Sequence, residues 1–148
     1  MNRIGIFSEL DENQLSLLNP LFEHFSCRAG EVIFQQGASA DFLYLVVRGV
    51  VDMSFKPHDG SPMTISHVGK GSLFGWSAVV GSERYTSSAI AIEDVEAYRV
   101  HGDDLRTFCA EYPQIGKYIL ESLADSVSSR WKDAHKQVKA ILFDALKK

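Results

Sequence analysis

Near the N-terminus, Leu15, Leu17, Leu18, Leu21 and Phe22 recur at helical spacing, and Ser8 or Asp11 stands where a helix cap belongs. From Gly30 onward the pattern shortens. Residues 32–34, 42–47 and 49–55 read as strands; in the third, Val51, Met53 and Phe55 share one face while Asp52 and Ser54 take the other. Asp59-Gly60 predicts a tight turn into a hairpin partner at 63–68. Runs at 87–92 and 95–100, joined through Glu93-Asp94, complete the series. Strands this short, punctuated by glycine turns, predict a mainly β fold with flanking helices, an antiparallel barrel or jelly roll.

The last quarter follows a different rule. No proline occurs after Pro113, and Ile115, Ile119, Leu123, Val127, Trp131, Ala134, Val138, Ile141, Leu142 and Ala145 form one stripe at steps of three and four. Pro113 suits the first turn of such a helix. At 1.5 Å per residue, about 33 residues would run ~50 Å, further than a small barrel can cover. The uncovered length predicts a homodimer through this C-terminal helix, by two-fold symmetry. A break near Ser128-Ser129, folding the helix back on its own domain, is the alternative. The expected division is a β domain at 1–113 and a lid or dimerisation helix at 114–148.

Charge sharpens that division. The 148 residues carry 15 basic and 19 acidic side chains, a net −4. Residues 1–113 hold 8 basic against 15 acidic, a net −7, and residues 114–148 hold 7 against 4, a net +3. An acidic body argues against gripping nucleic acid over the whole surface. Lys136, Lys139, Lys147 and Lys148 read as a solvated helix face, or as a contact for an acidic partner or nucleic acid. No apolar run approaches the ~18 residues of a membrane span, and MNRIGIFSELDENQ carries no leader pattern. Cys27 and Cys109 form no CxxC pair, so two reduced thiols in a cytoplasmic protein are expected. His24, His58, His67, His101 and His135 show no metal-ligand spacing. Asp103, Asp104 and Glu111 read as a solvated acidic helix face, and Cys109, on a helix with Phe108 and Tyr112, reads as core rather than as a sensor. With no GxSxG, Walker A or GxGxxG motif, an enzyme is not expected.

The candidate chemistry sits in GKGSLFGWSAVVGSERYTSSAIA, residues 69–91, with four glycines and the hydroxyls of Ser72, Ser77, Ser82, Thr86, Ser87 and Ser88. A short helix at 76–80 would turn backbone N–H groups toward one point and favour an anion, with Arg84 nearby. Ordinary loop chemistry explains the same composition.

GEVIFQQG (Gly30 to Gly37), LYLVVRG (Leu43 to Gly49) and GSLFG (Gly71 to Gly75) give the chain a resemblance to the cyclic nucleotide-binding domains of the catabolite activator and protein kinase A regulatory-subunit superfamily. That resemblance implies a cupin-like double-stranded β-helix with an N-terminal helix, and a long C-terminal helix that closes over the ligand. It implies a ligand cassette of Phe74, Gly75, Trp76, Ser77, Ala78, Arg84, Tyr85, Thr86 and Ser87. The lid or dimer helix would contribute Ile119, Leu123, Val127, Arg130 and Trp131. The ligands it admits are cyclic AMP, cyclic GMP or another small anion; no resident cofactor or metal is implied.

The cassette departs from the family pattern at both charged positions. Trp76 stands where the family's ribose-binding glutamate follows Phe-Gly, and Tyr85 stands where the phosphate-binding arginine precedes a small residue. Arg84 is one residue early, and such an offset turns a side chain the other way. Charge-assisted bonds contribute ~1.5–3 kcal/mol each, so losing both removes ~3–6 kcal/mol. At about 1.4 kcal/mol per tenfold, a micromolar binder becomes millimolar or weaker. Two functions stay open: a regulatory sensor of a nucleotide-like ligand, or a degenerate domain that serves as a dimerisation and interaction module. No helix-turn-helix domain is expected within these residues, so the chain is expected to be either a stand-alone effector module or a fragment of a longer regulator.

Overall fold

The computed structural model describes residues 10–57, 60–75, 77–80 and 83–121. Helix α1 (Glu12–Leu18) starts from a reciprocal cap: the Asp11 carboxylate accepts from the Gln14 N–H at 2.7 Å, and the Gln14 side-chain oxygen accepts from the Asp11 N–H at 3.0 Å. The helix ends earlier than the leucine spacing predicts. Pro20 cannot continue the hydrogen-bond ladder, so Asn19–Leu21 forms a single 3-10 turn and Phe22 opens a strand. Leu17 is consequently 43% exposed and outside the core.

Eight strands follow among the described residues: β1 (Phe22–Cys27), β2 (Val32–Phe34), β3 (Phe42–Arg48), β4 (Val51–Phe55), β5 (Met63–Val68), β6 (Leu73–Phe74), β7 (Ser88–Ala91) and β8 (Val95–His101). Helix α2 (Ser77–Val80) interrupts the series between β6 and β7, and α3 (Gly102–Glu111) follows β8. Residues 113–121 are helical. The strands form two antiparallel sheets, β1-β8-β3-β6 and β2-β7-β4-β5. They face each other as a roll, and among the described residues they do not close into a barrel.

Alternation along the strands creates two cores. On β3, Tyr44 and Val46 point into the roll with Val51, Met53, Val68, Phe74, Ala89 and Ala97. Leu43 and Leu45 point the other way, joining Leu73 and Val100 against Leu15 and Leu18 of α1, Leu105 and Phe108 of α3, and Ile115 and Ile119. The first sheet is therefore a wall with apolar contacts on both faces, whereas the second keeps Asp52 and Thr64 on its outer side, where the Thr64 hydroxyl donates to the Asp52 carboxylate.

Of the expected lid stripe, Ile119 is fully buried; Leu123, Val127, Arg130 and Trp131 lie outside the described residues, as do Trp76 and Asp59.

Candidate functional site

The described parts of the segment from β6 to β7 pack against residues 37–44. Gly75 makes the approach possible: its φ is +87°, and a Cβ there would stand 2.6 Å from the Phe42 carbonyl oxygen. Glycine meets both demands, since it has no side chain to clash and tolerates positive φ. Phe74 is buried beneath, and Ser77 and Ala78 of α2 are buried beside it.

Beyond α2 the chain returns along residues 37–42. The Gly37 N–H donates to the Tyr85 carbonyl at 2.8 Å, the Tyr85 N–H to the Ala38 carbonyl at 2.9 Å, and the Ala40 N–H to the Glu83 carbonyl at 3.0 Å. This short ladder sets the side-chain alternation at the cassette exit. Arg84 points outward, where its Nη1 donates to the Gly37 carbonyl at 2.8 Å. Tyr85 points inward and is 5% exposed. Thr86 is exposed, Ser87 is half-buried, and the Ser88 hydroxyl accepts from the Gln36 N–H.

Tyr85 is the centre of this arrangement. Its ring stacks on Phe34 with centroids 3.6 Å apart and planes 10° from parallel. Tyr44 and Phe74 form a second stack at 4.7 Å, and Phe34 approaches both at 6.0 Å. The Tyr85 hydroxyl donates to the Phe42 carbonyl at 2.6 Å and accepts from the Phe42 N–H at 3.0 Å. Both hydrogen-bonding roles of the phenol are thus filled by one residue of main chain.

Burial pushes the Tyr85 hydroxyl up to about 12, with the hydrogen bond to Phe42 only partly opposing the shift. Burial likewise raises Tyr44, against the pull of its hydrogen bond with Arg99. The consequence for stability has a definite sign. Between about pH 10 and about 12 the unfolded chain loses the Tyr85 proton while the folded chain keeps it, so stability is complete below 10 and falls as pH rises. At about 1.36 kcal/mol per unit, the full loss is at most about 2.7 kcal/mol. Denaturant unfolding across that window is expected to fall less steeply with pH in Tyr85→Phe than in the parent. Equal slopes would place the phenol outside the core.

At the neighbouring end of β8, the Arg99 guanidinium lies 4.3 Å from the Phe42 ring centroid and 5.2 Å from that of Phe25. Its Nε donates to Glu23 at 2.5 Å. This cation is already matched by a carboxylate and two rings. Among the described residues no three metal-binding side chains converge, and no helix is long and apolar enough to cross a membrane.

The family profile "Cyclic nucleotide-binding domain" matches residues 24–112. The chain belongs to the cyclic nucleotide-binding domain family. Among curated proteins it is 28% identical over 122 residues to a CRP-like cAMP-activated global transcriptional regulator of Mycobacterium tuberculosis, covering 82% of this chain and 54% of that protein. It is 26% identical to the cAMP-dependent protein kinase regulatory subunit of Dictyostelium discoideum, covering 83% and 38%. Among solved structures, a putative cyclic nucleotide-binding protein from Geobacter metallireducens superposes with a TM-score of 0.74 at 29% identity, covering 86% of this chain and 92% of that one. This cyclic nucleotide-binding domain spans about half the length, or less, of the curated relatives just named.

Phe74, Gly75, Ser77, Ala78 and Tyr85 gather around the start of β3. Arg84 and Thr86 face away from them. A phenol whose hydrogen-bonding roles are both filled by Phe42 holds the inward position at residue 85. Sequence reasoning missed Phe34 and Phe42 as the partners of Tyr85, and missed Arg106 and Gly102 beneath α2. An arginine three residues after Asp103 was the one available signal, since that spacing pairs side chains on a helix.

Proposed function

We propose that this domain is a non-enzymatic regulatory module: a small, nucleotide-like ligand engages the cassette, and the C-terminal helix carries the response. The reading rests on the cassette's retained architecture. Gly75 is set against Phe42, and α2 is packed between the roll and the helices. Its ligand is held without the arginine and glutamate pair, so cyclic AMP and cyclic GMP bind weakly in the usual pose. A ligand that enters the roll must displace Tyr85 from Phe34 or stay outside that stack.

Thermal melting against cyclic mono- and dinucleotides tests this directly. Ligand at 100 times its dissociation constant stabilises by about 2.7 kcal/mol. At about 2–4 °C per kcal/mol, the expected shift is several degrees. At millimolar ligand, cyclic AMP and cyclic GMP are expected to give a smaller shift than the best member of the panel. No shift from any nucleotide would overturn nucleotide sensing.

The filled position of Tyr85 favours a second reading, in which the domain binds no nucleotide and acts as a dimerising interaction module. That reading joins an inert panel to a mass of about 33 kDa in light scattering, the two-fold assembly of a 16.5 kDa chain. A 16.5 kDa particle at tens of micromolar would remove the dimer from either reading.

A further inference from the structure

Beneath the cassette, α2 is fastened to α3 by a group that the ligand chemistry does not use. Arg106 sends Nη1 to the carbonyl oxygens of Ala78 at 2.7 Å and Val79 at 3.3 Å, while Nη2 pairs with the Asp103 carboxylate. The carbonyls at the end of so short a helix have no partners within it, and a cation there also opposes the helix dipole. Gly102 brings the backbones together at the same place, since a Cβ on it would overlap the Ala78 carbonyl. Val79 shares a buried cluster with Leu105, Phe108, Ile115 and Ile119. Two turns further along α3 a second close approach occurs: a Cβ on Gly116 would lie 2.7 Å from the Cys109 backbone.

These contacts form a continuous path from α2 through α3 to helical residues 113–121. Its two glycine seats are backbone-to-backbone, where packing leaves no slack for independent movement. Its one directional, charged link is Arg106. We propose that Arg106 is a positioning residue that couples the cassette helix to α3 and so to the C-terminal helix. The functional meaning of this coupling rests on the proposed signalling role, but the coupling itself needs no ligand.

The test therefore uses the full chain without ligand and reads amide exchange by mass spectrometry. Arg106→Gln is expected to raise exchange at 77–80 about three- to tenfold, as expected for losing a half-exposed charge-assisted bond, while β3 and β8 stay protected. Arg106→Lys keeps the charge and one donor, and is expected to recover part of that protection. Gly116→Ala, which touches α3 but not α2, is expected to raise exchange at 77–80 in the parent. In the Arg106→Gln background its effect should drop below twofold.

Equal effects in both backgrounds, or no effect at 77–80 in the parent, would overturn the coupling. So would loss of protection throughout β3 and β8 in Arg106→Gln, which marks a general structural role. If Gly116→Ala does not fold, Cys109→Gly removes the Cβ on the other side of the same contact and is judged by the same comparison. An inert nucleotide panel leaves this result standing, and absent coupling leaves a melting shift standing, so the two failures are distinguishable.

Discussion

Tyr85→Ala is expected to lower the free energy of unfolding by about 3–5 kcal/mol, the range for emptying a large aromatic site in a packed interior. Two losses combine. The ring leaves Phe34 without its 3.6 Å stacking partner, and the hydroxyl leaves both polar groups of Phe42 unpaired. Tyr85→Phe separates the two, because it keeps the ring and removes only the hydroxyl. Its expected loss is about 1–3 kcal/mol, the cost of buried donors and acceptors without partners. Urea unfolding of both variants gives the comparison. A loss below about 1 kcal/mol for the alanine variant would mean that Tyr85 is not part of the folded core.

The double variant Trp76→Glu/Tyr85→Arg carries the second large effect. It restores the two charged residue types that the family uses, and cyclic AMP affinity is expected to rise about a hundred- to ten-thousandfold, equivalent to ~3–6 kcal/mol. The same change should destabilise the ligand-free domain. A guanidinium at position 85 enters an aromatic interior that only the exposed Asp41 carboxylate nearby can partly offset, and an incompletely compensated buried charge costs several kcal/mol. Stability of the double variant is therefore expected to depend steeply on cyclic AMP, whereas the parent's is not. Calorimetric titration together with melting curves reads both halves. No gain in affinity would mean that positions 76 and 85 do not correspond to the family's clamp.

Much of this architecture is legible along the chain, but unevenly. The hairpin partner of β4 falls at Met63–Val68, on the run that follows the Asp59-Gly60 turn signal, but the one-residue register shift between Met53 and Ser54 is not legible. Strand β1 is not legible. Phe22 extends a leucine pattern at helical spacing, and only Pro20 marks the stop. Strand β6 has two residues, too few for any period.

At the cassette, residue order reveals the one-position offset between Arg84 and Tyr85, and the strand pleat turns that offset into opposite directions. What the order does not reveal is the partner of an inward side chain. Phe34 lies 51 positions before Tyr85 and Phe42 lies 43 before it, and periodicity assigns a face without assigning a neighbour. The seat of α2 on Gly102 is hidden for the same reason: a glycine reads as a break until its facing backbone is known.

The double-faced wall has a consequence for how this chain can change over generations. In β3, Leu43, Tyr44, Leu45 and Val46 are all buried, two serving each core. Drift there is confined to exchanges among apolar side chains of similar volume, and a gain on one side cannot be made by borrowing from the other. In β4, Asp52 and Ser54 stand free of that rule, alternating with Val51, Met53 and Phe55. Descendants of this domain should therefore diverge along the outer sheet at every second position while the wall stays almost monotonous. New surface chemistry can arise on the outer sheet without touching the cassette.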